Sequence, residues 1–168
     1  MSVVPTAQAD PLSLERQVCF ALAVTNRAVL AVYRPLLEPL GLTHPQYLVM
    51  LALWDHHKKS PDSALSVKQI AGLLQLDSAT LSPMLKRLDA SGLITRSRSA
   101  TDERATEVRL TEAGVSLRER AVGIPDAVTA RLGADPAELE DLHRVLTRVN
   151  QAALATGALQ QTQTTKES

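Results

Sequence analysis

The sequence predicts a mainly α-helical chain with one small β-ribbon in its second half. Three observations favour this fold class. Apolar residues recur with a helical period along most of the chain, aromatic residues make up only 2% of it, and one short stretch alternates polar and apolar residues. Few aromatic residues disfavour an all-β sandwich, whose strands are rich in them. With 168 residues and 45% hydrophobic content, the chain is long enough for one domain with a sizeable core.

Two helices are predicted in the first third of the chain. The first covers about residues 14–37, with Ser13 as its N-cap and Gly41 just beyond its end. Thr43 opens the second helix through a capping box, with a proline in the first turn, where a missing N–H costs little. The polar segment 55–64 is then expected to be an exposed and rather long connection.

A tightly joined pair of helices and a hairpin follow. Ser66 starts a capping box and a helix that ends at Leu74, and a three-residue joint leads to a helix over 78–90. The period then changes, and 93–98 and 104–110 are predicted to form two strands. A short helix, a tight joint, a second helix and an immediate hairpin together predict a winged helix-turn-helix.

Two further helices are predicted after the ribbon. Thr111 caps one that is interrupted near Gly123, and Asp135 caps the last one, with the form of a capping box and with proline at the first helical position. Apolar residues of the last helix recur at alternating spacings of three and four, which suits a coiled-coil seam or ordinary core packing equally. They are Leu139, Leu142, Leu146, Val149 and Ala153.

The charge of the chain is balanced overall but unevenly placed. Lys plus Arg and Asp plus Glu both number 18, which excludes a polybasic protein. Five basic residues nevertheless fall within nineteen positions of the predicted helix pair and ribbon, where they form either a solvated surface or one face for nucleic acid. They are Lys86, Arg87, Arg96, Arg98 and Arg104.

On a winged helix this cluster predicts a DNA-binding face. The second helix of the pair enters the major groove, and Ser78, Thr80 and Ser82 at its start would face base edges. Hydroxyl groups are weak readers, so modest direct readout is expected. Lys86 and Arg87 lie further along this helix and suit phosphates, and Arg96 and Arg98 on the first strand belong to the same DNA-binding face.

Two residues of this face have particular expectations. At the ribbon tip Arg104 is predicted to enter the minor groove, with Asp102 holding its guanidinium. Pro83 lies inside the second helix, and a bend or widening is expected there because proline removes a backbone hydrogen bond.

Five segments carry a resemblance to a known family. They resemble the organic hydroperoxide resistance regulators, a branch of the multiple-antibiotic-resistance regulator (MarR) family of winged-helix repressors, over about residues 12–155. The segments are 17–22 (QVCFAL), 33–37 (YRPLL), 42–47 (LTHPQY), 80–88 (TLSPMLKRL) and 102–104 (DER).

The resemblance implies a homodimer that represses a gene until organic hydroperoxide oxidises Cys19. With one cysteine per chain, the resulting sulfenic acid is expected to form a mixed disulfide with a low-molecular-weight thiol, or to be over-oxidised when peroxide is in excess. It implies double-stranded operator DNA as partner. No cofactor, metal, membrane span or enzymatic activity is expected, and the lone thiol and the lack of a signal peptide predict a cytoplasmic protein. We expect flexible ends at 1–11 and 156–168 and one domain over 12–155. Within this domain the winged helix covers about 43–110, and the dimerisation helices cover about 12–40 and 111–155.

Cys19 is the one cysteine, which excludes an intramolecular disulfide and a four-cysteine metal site. A sensing cysteine needs thiolate character. Cys19 falls about six residues after the predicted N-cap, where the helix dipole gives little help, and Arg16 and Glu15 act in opposite directions. A lone cysteine is otherwise a buried, inert residue.

The resemblance assigns Tyr33 to support the thiolate, and His44 stands where the family carries a second such tyrosine. A protonated His44 would support the thiolate more strongly, whereas an exposed first-turn histidine would do nothing. On one continuous helix Tyr33 lies about 21 Å from Cys19, so contact needs a partner subunit.

Three other functions compete with this one. A regulator of the same fold that binds a small aromatic ligand is the main alternative. A metal sensor would use Cys19 with the four histidines, but adjacent His56 and His57 point in different directions on a helix. A thiol peroxidase would use the same cysteine, but this chain lacks a second thiol.

Residues 1–10 lack the basic start and apolar run of a signal peptide.

Overall fold

The computed structural model describes residues 10–157, which form seven α-helices, two short 3₁₀ turns and a three-stranded antiparallel sheet. The predicted flexible ends therefore fall largely on 1–9 and 158–168, outside the described residues. The elements are α1 (Val18–Leu37), α2 (His44–Lys59), β1 (Leu65–Ser66), α3 (Val67–Leu74), α4 (Ser78–Ala90), β2 (Ile94–Arg98), β3 (Thr106–Leu110), α5 (Glu112–Ala121), α6 (Ile124–Leu132) and α7 (Pro136–Ala155). The mainly helical winged fold predicted from the sequence is confirmed.

Helix α1 begins four residues later than predicted. Leu14–Arg16 form a 3₁₀ turn, and Gln17 is the N-cap of α1 in place of Ser13, whose side chain caps neither helix. The Gln17 side-chain amide donates back to the carbonyl oxygens of Pro11 (2.8 Å) and Ser13 (3.2 Å), which fixes the chain just before the helix. Cys19 is therefore the second residue of α1.

Helix α2 begins as predicted and ends later. The Thr43 hydroxyl accepts from the backbone N–H of Gln46, and the Gln46 side chain accepts from that of Thr43, which completes the capping box. The expectation of an exposed connection over 55–64 is wrong for its first half, because the helix continues to Lys59. An ion pair of 2.6 Å between Asp55 and Lys59, four residues apart, supports the last turn.

The helix pair also follows the sequence closely. Ser66 caps α3 with a full capping box, and the Asp77 carboxylate accepts from the backbone N–H of Thr80 at the start of α4. Gln75 takes a left-handed conformation (φ 53°) in the joint between them. Helix α4 stays α-helical through Pro83, so the proline does not interrupt it.

The sheet contains a strand that the sequence did not reveal. Strand β1 pairs with β3 through Leu65 and Ser66, and β3 also pairs with β2, so the order is β1-β3-β2. Strands β2 and β3 are shorter than predicted, partly because the backbone N–H of Leu93 is used by the carbonyl of Leu88 at the end of α4. Only three residues therefore separate β2 from α4, the recognition helix that is expected to enter the major groove.

The core lies between α2, the helix pair and the sheet. Its most buried members are 0–1% exposed: Leu37, Val49, Met50, Ile70, Leu81, Leu85, Leu88, Ile94 and Val108. Helix α7 has no buried residue and α1 has only Leu37. Large apolar side chains of both helices are exposed in the single chain, among them Val18, Leu22, Leu142, Val145, Leu146, Val149 and Leu154.

One described segment, Val18–Leu40, is long and apolar enough to cross a membrane by length and composition alone. It carries Arg27 and Arg34, and Leu37 near its end is buried in the same core as Met50. We therefore describe it as a helix of the folded domain with an uncovered apolar face.

Candidate nucleic-acid interface and thiol site

A cleft of about 590 Å³ opens between the first turns of α3 and α4 and the wing formed by β2 and β3. Its walls are set by the start of α4, whose N-cap is Asp77, and by the turn of the wing over 99–105. Five of the nine residues predicted to bind DNA line it together: Ser78, Ser82, Arg96, Asp102 and Arg104.

The other four predicted residues lie outside the cleft. Lys86 and Arg87 are exposed on α4, and Arg98 is exposed at the end of β2. Thr80 is also exposed, but its backbone N–H and its hydroxyl both donate to the Asp77 carboxylate, at 2.7 and 3.0 Å. Its hydroxyl is thus engaged in the cap of the helix.

The contact expected between Asp102 and the Arg104 guanidinium is not made. The Asp102 carboxylate instead accepts from the backbone N–H of Arg104 at 3.0 Å, as an aspartate that shapes a tight turn does. Within residues 10–157 no ion pair holds the guanidinium of Arg104, which is exposed at the wing tip.

Six residues that line the cleft were not predicted from the sequence: Ser66, Val67, Lys68, Leu85, Ala105 and Thr106. Ser66 and Lys68, in the cap and first turn of α3, line the wall opposite the wing. The sequence predicts the capping box at Ser66, and Lys68, two positions later, lines the same cleft. Neither residue was predicted to bind DNA because α3 is not the helix that enters the groove.

Cys19 is exposed in the first turn of α1. The prediction that it lies beyond the reach of the helix dipole is wrong, because the helix starts at Val18. The N-terminal turn of a helix carries a partial positive charge that favours an anion such as a thiolate. Arg16 and Glu15, in the turn before the helix, place one charge of each sign nearby.

Four rings form a chain of contacts beneath α1. Tyr33 lies edge-on to His44 with ring centroids 4.9 Å apart, and Tyr47 lies 6.0 Å from Tyr33 and 6.5 Å from Trp54. Burial lowers the pKa of His44 below 6.5, so the imidazole is neutral near pH 7, contrary to the protonated role considered from the sequence. Burial is the larger cause that raises the pKa of Tyr47, and the nearby Tyr33 raises that pKa further.

Cys19 does not reach these rings within one chain. Cys19 and Tyr33 are fourteen residues apart on α1, which places them about 21 Å apart along the helix axis. The structure therefore places Tyr33 beside His44 but leaves Cys19 at the other end of the helix.

A second cavity, of about 480 Å³, lies where α1 meets the start of α2. Leu30, Leu37 and Leu42 give it an apolar wall, and Arg34 and His44 add a cation and a neutral imidazole. As for the metal-sensor alternative, residues 10–157 contain no group of three His, Cys, Asp or Glu side chains that could hold a metal ion.

The helix pair, the wing and the basic cleft define a winged-helix DNA-binding protein. A family profile described as transcriptional regulator SarA/Rot matches residues 31–120. The organic hydroperoxide resistance transcriptional regulator of Bacillus subtilis is 45% identical over 136 residues, which are 81% of this chain and 86% of that protein. The chain belongs to the MarR-like family of winged-helix transcriptional regulators, in the branch of the organic hydroperoxide resistance regulators.

Solved structures agree with this assignment. Reduced AbfR bound to DNA has a TM-score of 0.71 at 30% identity, covering 85% of this chain and 94% of AbfR. AbfR is also known in an overoxidised form bound to DNA and in a disulfide form, with TM-scores of 0.65 and 0.56. Bordetella bronchiseptica BpsR, whose DNA binding is regulated by 6-hydroxynicotinic acid, has a TM-score of 0.68 at 26% identity, covering 80% of this chain and 98% of BpsR.

Proposed function

We propose that this protein is a cytoplasmic, homodimeric repressor that leaves its operator DNA when an organic hydroperoxide oxidises Cys19. The observation that carries the proposal is the position of Cys19: the one thiol of the chain is exposed in the first turn of a helix, in a chain 45% identical to an organic hydroperoxide resistance regulator. The DNA-binding half rests on α4, the wing and the cleft between them.

The chemistry needs two steps and no cofactor. The Cys19 thiolate attacks an oxygen of the hydroperoxide, the O–O bond breaks, the sulfur becomes a sulfenic acid and the alcohol leaves. A small cellular thiol then attacks that sulfur, which forms a mixed disulfide and releases water. The thiol comes from solution because the chain has only one cysteine.

Dimerisation is supported by the apolar faces that α1 and α7 leave uncovered. Leu142, Leu146 and Val149 recur along one side of α7 and are 40–48% exposed in the single chain. An apolar stripe of this kind on a long terminal helix is typical of a helix that packs on a second subunit. A dimer also presents two recognition helices to DNA and brings α1 of one subunit near its partner's.

The mixed disulfide is the form that we expect to release DNA. AbfR in its overoxidised form is bound to DNA, so overoxidation is compatible with DNA binding in that protein. A mixed disulfide adds a much bulkier group at the end of α1. We therefore assign release of DNA to the disulfide and not to the sulfenic or sulfonic acid.

The test is operator binding by the wild type and by Cys19→Ser under stoichiometric organic hydroperoxide, with and without a small thiol. The wild type should release DNA only when both are present, and dithiothreitol should restore binding. Mass spectrometry of the released and bound fractions identifies the oxidised species. Release by Cys19→Ser under the same treatment would refute the redox mechanism.

A second candidate is a regulator that a small aromatic acid removes from DNA. It is favoured by the 480 Å³ cavity, whose apolar wall is accompanied by Arg34 and His44, and by the likeness to BpsR. A phenolic acid that displaces DNA from Cys19→Ser, and fails to do so from Arg34→Ala, would support this function.

Continued consumption of peroxide and thiol by the protein in the absence of DNA would indicate an enzyme and not a regulator.

A further inference from the structure

Asp89 is an acidic residue beside the basic cleft, and it pairs with an arginine of the wing. Its Oδ2 accepts a hydrogen bond from Nε of Arg96 at 3.0 Å. Asp89 is the penultimate residue of α4, and Arg96 is the third residue of β2. The ion pair therefore joins the recognition helix to the wing, with both side chains only about one third exposed (36% and 30%).

The ion pair uses only Nε of Arg96 and leaves the two terminal nitrogens of its guanidinium free. A guanidinium carries five N–H donors, and Asp89 uses the one on Nε. The four donors on the two terminal nitrogens have no hydrogen-bond partner among residues 10–157, and Arg96 lines the cleft. Two terminal nitrogens held in one plane match the two oxygens of a phosphate.

We propose that Asp89 is a positioning residue for DNA binding: it fixes the Arg96 guanidinium so that its terminal nitrogens grip a backbone phosphate between α4 and the wing. This inference rests on the proposed DNA-binding function. Asp89 itself does not touch the DNA, since a carboxylate next to a phosphate would be repelled.

A positioning role for Asp89 and a simple charge argument predict opposite changes in DNA affinity when Asp89 is neutralised. Asp89 places a negative charge on a surface that binds a polyanion, so its neutralisation should tighten binding if only charge mattered. If Asp89 orients Arg96, neutralisation weakens binding in spite of the more favourable charge. Glu103 at the exposed wing tip offers a matched control, because it carries the same charge near the same face without an ion pair to another described residue.

The experiment measures the dissociation constants of the full-length reduced protein for a duplex that the wild type selects from a random-sequence pool. We expect Asp89→Asn to weaken binding about tenfold, because one oriented phosphate contact is lost. The slope of log K against log salt should shrink by about 1, as for Arg96→Ala. Asp89→Glu should restore most of the affinity, whereas Glu103→Gln should bind slightly more tightly than the wild type.

The outcomes separate this inference from the function on which it rests. If the wild type retains no duplex from the pool, the DNA-binding function fails. If the wild type binds and Asp89→Asn binds equally well or better, the positioning role is refuted. That role is refuted as well if Asp89→Asn binds less well at an unchanged salt slope, since the ion pair would then only stabilise the fold. Non-additive losses in the Asp89→Asn, Arg96→Ala double variant would support it.

Discussion

Cys19 and Tyr33 are the second and sixteenth residues of one continuous helix, α1, and lie about 21 Å apart along its axis. A side chain of either residue cannot bridge that distance. If Tyr33 supports the Cys19 thiolate, as the resemblance to the hydroperoxide regulators implies, the pair forms between two subunits whose α1 helices run in opposite directions.

This geometry predicts complementation in a mixed dimer. A heterodimer of a Cys19→Ser chain and a Tyr33→Phe chain has one Cys19 that faces an intact Tyr33 of the partner. It should form sulfenic acid at the wild-type rate per thiol, whereas the Tyr33→Phe homodimer should be about tenfold slower because one hydrogen bond to the thiolate is lost. Labelling with a sulfenic-acid probe after purification on two tags measures both rates. A heterodimer as slow as the Tyr33→Phe homodimer would show that the partner's Tyr33 does not support the Cys19 thiolate.

A charge on the uncovered face of α7 should separate the subunits. Leu146 is 40% exposed in the single chain and lies in the middle of the apolar stripe. Leu146→Glu removes about 2 kcal/mol of apolar burial from each subunit, which should raise the dimer dissociation constant about a thousandfold. Sedimentation velocity measures the change. Gln151→Glu adds the same charge on the other side of α7 and should leave the dimer intact, and a dimeric Leu146→Glu would contradict the assigned interface.

How much of this architecture could be predicted depends on how local its signals are. The capping boxes at Thr43 and Ser66 occupy four consecutive residues each, and both form as predicted. Strand β1 has only two residues, so it shows no period, and its partner Val108 lies more than forty positions away. Ser13 has the residue type of a cap, but the Gln17 side chain turns the preceding backbone and takes over that position.

The candidate site shows the same division. The hydroxyl and basic residues of the DNA-binding face could be proposed from their places on a winged helix. The contacts around them could not be predicted. Asp102 was expected to hold the Arg104 guanidinium but accepts from the backbone N–H of Arg104, and the pairing of Asp89 with Arg96 depends on how the chain turns after α4. Such contacts are tertiary, and neither periodicity nor motif spacing records them.

Arg104 should contribute to affinity without selecting a sequence. Its guanidinium is exposed at the wing tip, where the Asp102 carboxylate is occupied by the backbone. Arg104→Ala should weaken binding to different duplexes by a similar factor and reduce the salt slope by about 1. Fluorescence anisotropy at several salt concentrations measures both quantities. An unchanged slope would show that the wing tip does not reach the DNA.

Gly114 should tolerate no side chain. It lies in the first turn of α5, and its carbonyl accepts the indole N–H of Trp54 at 2.8 Å. A Cβ at this position would collide with the carbonyl oxygen of Leu93, just before the wing. Gly114→Ala should therefore cost about 1–3 kcal/mol of folding free energy.

Urea unfolding followed through Trp54, the one tryptophan of the chain, provides the measurement. Gly72→Ala is the matched control, because Gly72 lies within α3 and a Cβ there would meet nothing within 4 Å. That variant should be more stable by about 0.5–1 kcal/mol, since alanine favours a helix. Equal stabilities of the two variants would show that the packing of α5 on Leu93 is not rigid.

His44 should make the fold less stable in mild acid. Burial lowers its pKa below 6.5, so as the pH falls below 6.5 the unfolded chain binds a proton at this residue that the folded chain accepts only at lower pH. The unfolded state is thereby favoured, and the stability that the neutral imidazole allows at neutral pH is lost progressively. His44→Gln keeps a polar side chain next to Tyr33 but does not titrate. Its thermal midpoint should therefore fall less between pH 7 and about pH 5 than that of the wild type. Replacing the exposed His143 by glutamine controls for the loss of an imidazole elsewhere, and a His44→Gln midpoint that follows the wild type over this range would contradict the assignment.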